Sequence, residues 1–188
     1  MAIIVLIGFS GSGKSTYGKK LARRLGYEFC DLDLSFEGRY HIRISEFFSK
    51  YGETAFRVCE RSVLEEALEG ENRVISTGGG APCFFDSMDL ILRKSLSVYI
   101  QLSVKSLHSR LVASKKPRPL LAGRTSAELM DYIEKTLAAR SAFYERAELI
   151  VKGEGLTAEA LQSVVEGKMR ERENRGVAPP GIEPESKV

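Results

Sequence analysis

The chain has 188 residues, 43% of them apolar and 28% charged, which suits one soluble α/β domain with room for a proper core. The net charge of +3 is spread among acidic residues, which argues against nucleic acid as a partner, and no apolar run approaches the length of a membrane span. Cys30, Cys59 and Cys83 are odd in number and lack C-x-x-C or metal-ligand spacing. Reduced thiols in a cytoplasmic protein without a secretory leader are therefore expected.

Residues 2–7 read as a strand that is apolar on both faces, as in a buried parallel sheet. They run into Gly8-Phe9-Ser10-Gly11-Ser12-Gly13-Lys14-Ser15-Thr16. The pattern G-x-x-x-x-G-K-[ST] between a strand and a helix is the phosphate-binding loop of nucleoside triphosphatases and kinases. Glycines let the backbone turn tightly and approach a phosphate, and successive N–H groups at a helix N-terminus form an anion-binding concavity. Gly11, Ser12, Gly13, Lys14, Ser15 and Thr16 are the expected ATP contacts, with Lys14 on the β- and γ-phosphates and the Ser15 hydroxyl on Mg²⁺. A dinucleotide-binding reading fails for lack of the third glycine.

A helix is expected over 14–25, a strand over 27–32 that delivers Asp31 and Asp33 at or just past its carboxyl end, and largely helical structure over 34–71. A short strand over 73–76 leads into Thr77-Gly78-Gly79-Gly80, then come a helix near 85–94 and a strand over 96–102. Ser103 is a good N-cap for a helix to about 112. The basic, proline-broken stretch 114–124 reads as a mobile lid over phosphates. A long helix over 126–144, a strand over 148–152 and a closing helix over 157–169 complete a domain of residues 1–169. Residues 170–188, rich in proline, glycine and charge, read as a disordered tail. Such alternation implies a parallel sheet covered by helices on both faces, with ligands at the carboxyl ends of its strands.

Asp31-Leu32-Asp33, Tyr51-Gly52-Glu53, Arg57 with Glu60, Thr77-Gly78-Gly79-Gly80, Arg118-Pro119-Leu120-Leu121 and Arg140 with Tyr144 form an ordered set that resembles the shikimate kinase family over about residues 3–165. The resemblance implies a three-layer α/β/α P-loop kinase fold with a five-stranded parallel sheet, a lid and a helical substrate-binding segment over about 33–62. It implies an ATP-dependent, Mg²⁺-requiring kinase acting on the 3-hydroxyl of shikimate, monomeric, with no nucleic-acid or membrane partner. Arg57, Arg140, Gly79 and Gly80 match the family's substrate positions, Asp33 the residue beside the reacting hydroxyl, and Asp31 the outer-sphere magnesium carboxylate. Arg118 matches the lid cation that closes onto the phosphates, and Arg110 a position flanking the adenine. A guanidinium fork suits a planar carboxylate, and Glu60, three residues after Arg57, lies on the same helix face and could hold it. Phe47, Phe48 and Phe56 read as core, although the family lines its pocket with rings hereabouts. Ser10 and Ala142 depart from the family's pattern, and the loop with Ser10 resembles that of gluconate kinase. Two other readings stand beside the first: a gluconate kinase, and a non-catalytic nucleotide-binding module.

Overall fold

In β1 (Ile3–Ile7) every residue is buried, so the strand can lie only in the middle of a sheet with both faces covered. The computed structural model describes residues 2–114 and 124–176 and places it there. Five parallel strands follow the order β2-β3-β1-β4-β5, where β2 is Glu28–Asp31, β3 Arg73–Ser76, β4 Leu96–Gln101 and β5 Leu149–Lys152. The helices are α1 (Lys14–Leu25), α2 (Leu32–Tyr40), α3 (Ile44–Ala67), α4 (Ser87–Lys94), α5 (Val104–Ala113), α6 (Ser126–Tyr144) and α7 (Ala158–Asn174).

Alternate side chains of β1 feed two separate cores. Ile3, Val5 and Ile7 join Leu32, Phe36, Phe56, Leu64, Ile91 and Tyr144 on one face. Ile4 and Leu6 join Leu21, Val74, Val98, Leu161 and Val165 on the other. Full burial of side chains of this size is worth roughly 1.5–3 kcal/mol each, before the loss of chain entropy is set against it. A third cluster of Phe9, Leu102, Leu107, Leu111, Leu129 and Ile133 fastens α5 and α6 to the carboxyl end of the sheet.

The chain builds β2 and β3 to one side of β1, then crosses to β4 and β5 on the other. The crevice at the carboxyl ends therefore opens at β1, where an α/β sheet binds its ligands. Register makes that edge level: Asp31 pairs with Ser76, and Ser76 with Leu6.

The expected elements are present, with two boundaries to correct. Strand β2 ends at Asp31 rather than at residue 32, and Asp33, just past it, lies in the first turn of α2. The closing helix runs to Asn174, so residues 170–174 belong to the folded domain and not to a tail. The cause is Arg172, which pairs with Glu148 and donates to the Ser95 carbonyl at 3.1 Å, anchoring the last turn of α7 under the sheet. The rest of the expected tail, 177–188, and most of the expected lid lie outside the described residues. Among the described residues no helix is long and apolar enough to cross a membrane.

Candidate active site

The turn between β1 and α1 is closed to side chains at its first glycine. Gly8 has φ of 139°, and a Cβ there would lie 2.8 Å from the Ile100 carbonyl. Gly13, also left-handed, caps α1, so the loop's amides and the positive end of the helix face the same crevice. Lys14 is buried at the base of the loop, and its ammonium donates to the carbonyls of Gly8 (2.8 Å) and Phe9 (3.0 Å).

Ser15 is the next residue on the helix and remains exposed. Its hydroxyl donates to Asp31 Oδ2 at 2.6 Å and lies 3.1 Å from the Ser76 hydroxyl. The other oxygen of Asp31 accepts from the Asp33 amide at 3.2 Å, so one carboxylate both caps α2 and reaches the phosphate loop. Three hard oxygen donors gathered on this spot fit the coordination preference of Mg²⁺.

Across the crevice, the triple glycine after β3 is where the two sides meet. A Cβ on Gly78 would lie 2.8 Å from Glu60 Oε1 and 3.1 Å from Asp33 Oδ1, so both carboxylates converge on that residue. A Cβ on Gly79 would lie 3.0 Å from the Ser10 amide nitrogen and 3.6 Å from Arg140 Nη1. One on Gly80 would sit 2.7 Å from Arg57 Nη2. Gly80 is thus glycine because a buried guanidinium occupies the place of its side chain. Gly79 and Gly80 match the family's substrate positions, and the close approaches of Ser10 and Arg57 give a packing reason for glycine at both.

Arg57 itself is held as the spacing on α3 anticipates. Its Nη1 donates to Glu60 Oε2 at 2.7 Å, and both side chains are more than nine-tenths buried. Burial pushes the Glu60 carboxyl above its ordinary range and Asp33 adds to this, while Arg57 and Arg140 oppose it. The Phe84 ring lies 4.2 Å from the guanidinium carbon, with Phe56 at 5.1 Å and Phe48 at 5.9 Å. Phe47 and Phe56 are core residues as expected, and Phe56 also borders the site.

Arg140 stands beside Tyr144, whose hydroxyl donates to the Gly79 carbonyl. Tyr144 is fully buried against Tyr99, and desolvation keeps its phenol protonated far into the alkaline range. Cys83, next to Arg140 and Arg57, has its thiol pushed up to about 11 by burial, so it is not a nucleophile at neutral pH.

On the nucleotide side, Arg110 donates to the carbonyls of Ser12 (3.0 Å) and Gly153 (3.1 Å) and so ties the phosphate loop to the turn after β5. Glu154 steadies that turn by accepting from the Ser103 amide (2.9 Å) and hydroxyl (3.0 Å), and the Ser103 amide, with the Ser106 hydroxyl next in weight, holds its carboxyl at about 2. Arg118 lies outside the described residues.

Three contributors were not foreseen: Glu53 on Arg57, Phe84 over Arg57, and Glu154 behind Arg110. Glu53 had a signal, since it precedes Arg57 by four residues and shares its helix face. Phe84 and Glu154 reach the site from other elements and had none.

The chain matches the family model for shikimate kinase over residues 10–168. It is 44% identical over 160 residues to a shikimate kinase of Parabacteroides distasonis, covering 85% of this chain and 92% of the relative. Its fold superposes on the crystal structure of the Bacteroides thetaiotaomicron shikimate kinase with a TM-score of 0.85 at 40% identity, over 88% of this chain and 98% of that one. A shikimate kinase from Acinetobacter baumannii solved in complex with shikimate aligns with a TM-score of 0.76 at 27% identity, over 95% and 96% of the two chains. A phosphate loop level with Asp31, an arginine pair across the triple glycine and these likenesses lead to one assignment: the chain belongs to the shikimate kinase family.

Proposed function

We propose that this chain transfers the γ-phosphate of ATP to the 3-hydroxyl of shikimate, giving shikimate 3-phosphate and ADP on the route to chorismate and the aromatic amino acids. It does so as an Mg²⁺-dependent, cytoplasmic monomer with no nucleic-acid or membrane partner. The observation that carries this reading is the placement of Gly79 within reach of both the phosphate loop, at Ser10, and Arg140, with the Arg57–Glu60 pair and Asp33 alongside.

In this reading the phosphate loop and Lys14 cradle the ATP phosphates, and Lys14 leaves its carbonyl partners for the phosphate oxygens. The Ser15 hydroxyl and, by way of water, Asp31 would hold Mg²⁺, which would supply charge neutralisation on the phosphates. Arg57 and Arg140 take the acceptor's carboxylate, which fixes the ring. Asp33 faces the reacting hydroxyl and orients it or accepts its proton. Arg118 closes from the lid onto charge in transit, and Arg110 flanks the adenine. Most of the acceleration comes from position and preorganised charge, as is general for phosphoryl transfer.

A coupled assay of ADP release with Mg·ATP, comparing shikimate, gluconate and no acceptor, tests this. Shikimate-dependent turnover is expected. Turnover with gluconate alone would transfer the assignment to the kinase whose loop Ser10 resembles, and ATP binding without turnover would favour a binding module.

A further inference from the structure

Arg57 is paired with two carboxylates, and they are unlike. Nη1 donates to Glu60 Oε2 at 2.7 Å, while Nε and Nη2 both donate to Glu53 Oε1, at 3.2 and 2.9 Å. The Glu60 side chain is 7% exposed and lies against Gly78 beside Asp33; the Glu53 side chain is 56% exposed. Glu53 is also the first residue after Gly52, where φ of 78° and ψ of 174° break α3 into two helical pieces. It therefore opens the second piece and has solvent on its free side.

This geometry restricts how an incoming carboxylate can meet Arg57. A guanidinium chelates a carboxylate along an edge formed by two N–H groups. Nη1 is committed to Glu60, Gly80 crowds the Nη1–Nη2 side, and the Phe84 ring lies 4.2 Å from the guanidinium carbon. The Nε–Nη2 edge is the chelating edge left, and Glu53 occupies it.

We infer that Glu53 is a stand-in for the substrate's carboxylate: it occupies the Nε–Nη2 edge of Arg57 in the unliganded site and is exchanged for the acceptor's carboxylate on binding, while Glu60 stays in place. This rests on the acceptor being shikimate, as proposed above. The exchange keeps a buried cation paired at every stage, since a buried charge left without a partner is costly. It also makes the site select for an anion. Glu53, Glu60 and Asp33 face Arg57 and Arg140, three anions against two cations, so an uncharged acceptor cannot displace Glu53 on equal terms.

The test uses the full chain with Glu53→Gln, which keeps shape and an acceptor oxygen but removes the competing charge. Because Glu53 is exposed, the variant is expected to fold. KM and calorimetric Kd are measured for shikimate and for its carboxamide. Exchange of a half-exposed ion pair predicts that KM and Kd for shikimate fall by about two- to fivefold, with a smaller change in kcat. The preference for shikimate over the carboxamide should narrow, because the variant has no resident carboxylate that an uncharged acceptor must displace. If Glu53 merely props Arg57, its removal loosens the guanidinium, both ligands weaken together, and the inference is overturned. An unchanged KM overturns it as well. A wild-type chain that fails to turn over shikimate would remove the functional reading itself, an outcome separate from a variant that behaves like an active wild type.

Discussion

Around residues 8–15 the candidate phosphate contacts are consecutive main-chain amides, a helix N-terminus, and a lysine and hydroxyl next to each other in sequence. On the far side of Gly79 the candidate acceptor contacts are side chains drawn from α2, α3 and α6, with charges buried in pairs. The phosphate side is built mainly of main-chain amides, with the Lys14 ammonium set on carbonyls of its own loop. The acceptor side holds Glu60 with its carboxyl raised by burial and Arg57 under the Phe84 ring, so its parts depend on one another. A backbone site should therefore lose function without losing the fold, whereas a side-chain site should lose both.

The largest break of this comparison is Lys14→Ala. It should lower kcat by about 10³-fold, the scale for removing one preorganised charge donor. The unfolding midpoint should move little, which rapid-quench turnover and thermal melting would show side by side. Wild-type turnover in this variant would undo the phosphate-side assignment.

Arg57→Ala comes next and should do what Lys14→Ala does not. It strands Glu60 as a buried carboxylate at a cost of about 3–5 kcal/mol, read by urea titration. Its pH dependence has a definite sign. The folded protein binds the Glu60 proton more tightly than the unfolded chain, so stability falls as pH rises through the raised value. The variant should accordingly gain stability toward mildly acidic pH more than the wild type does.

Tyr144→Phe isolates the turn where the two sides meet. Loss of the hydroxyl leaves the Gly79 carbonyl without that donor, worth about 1 kcal/mol. The shikimate KM should rise while the ATP KM stays near its wild-type value. Equal movement of both would show that Gly79 serves the phosphate side as much as the acceptor side.

The smallest effect belongs to Glu154→Gln, which should raise the ATP KM by about two- to fivefold through the turn that Arg110 grips. The Glu154 carboxyl is held at about 2, so its support is present above the ordinary carboxylate range and is lost only as pH falls toward 2. The ATP KM should consequently show no titration of this group between neutral and mildly acidic pH.

Much of the architecture is legible in local spacing. The apolar run of β1, the glycine pattern and the N-cap at Ser103 each mark an element through its own consecutive residues. The Arg57–Glu60 pair was legible for the same reason, one helical turn apart. The end of α7 was not. A polar, charged sequence from residue 170 onward resembles a solvated tail until Arg172 is seen to reach Glu148 and Ser95, partners distant in sequence.

By itself, then, the sequence determined that a phosphate loop follows an apolar strand and that helices and strands alternate, while its resemblance to the shikimate kinase family implied which charged residues would serve an anionic acceptor. Only the tertiary structure decided that Gly79 lies between Ser10 and Arg140, that Gly80 makes room for a guanidinium, and that Glu53 occupies the edge of Arg57 left free by Glu60. Local spacing encodes contacts within one turn or one pleat. Contacts between elements depend on how the sheet's register levels the ends of β1, β2 and β3, and on where the break at Gly52 points the second half of α3.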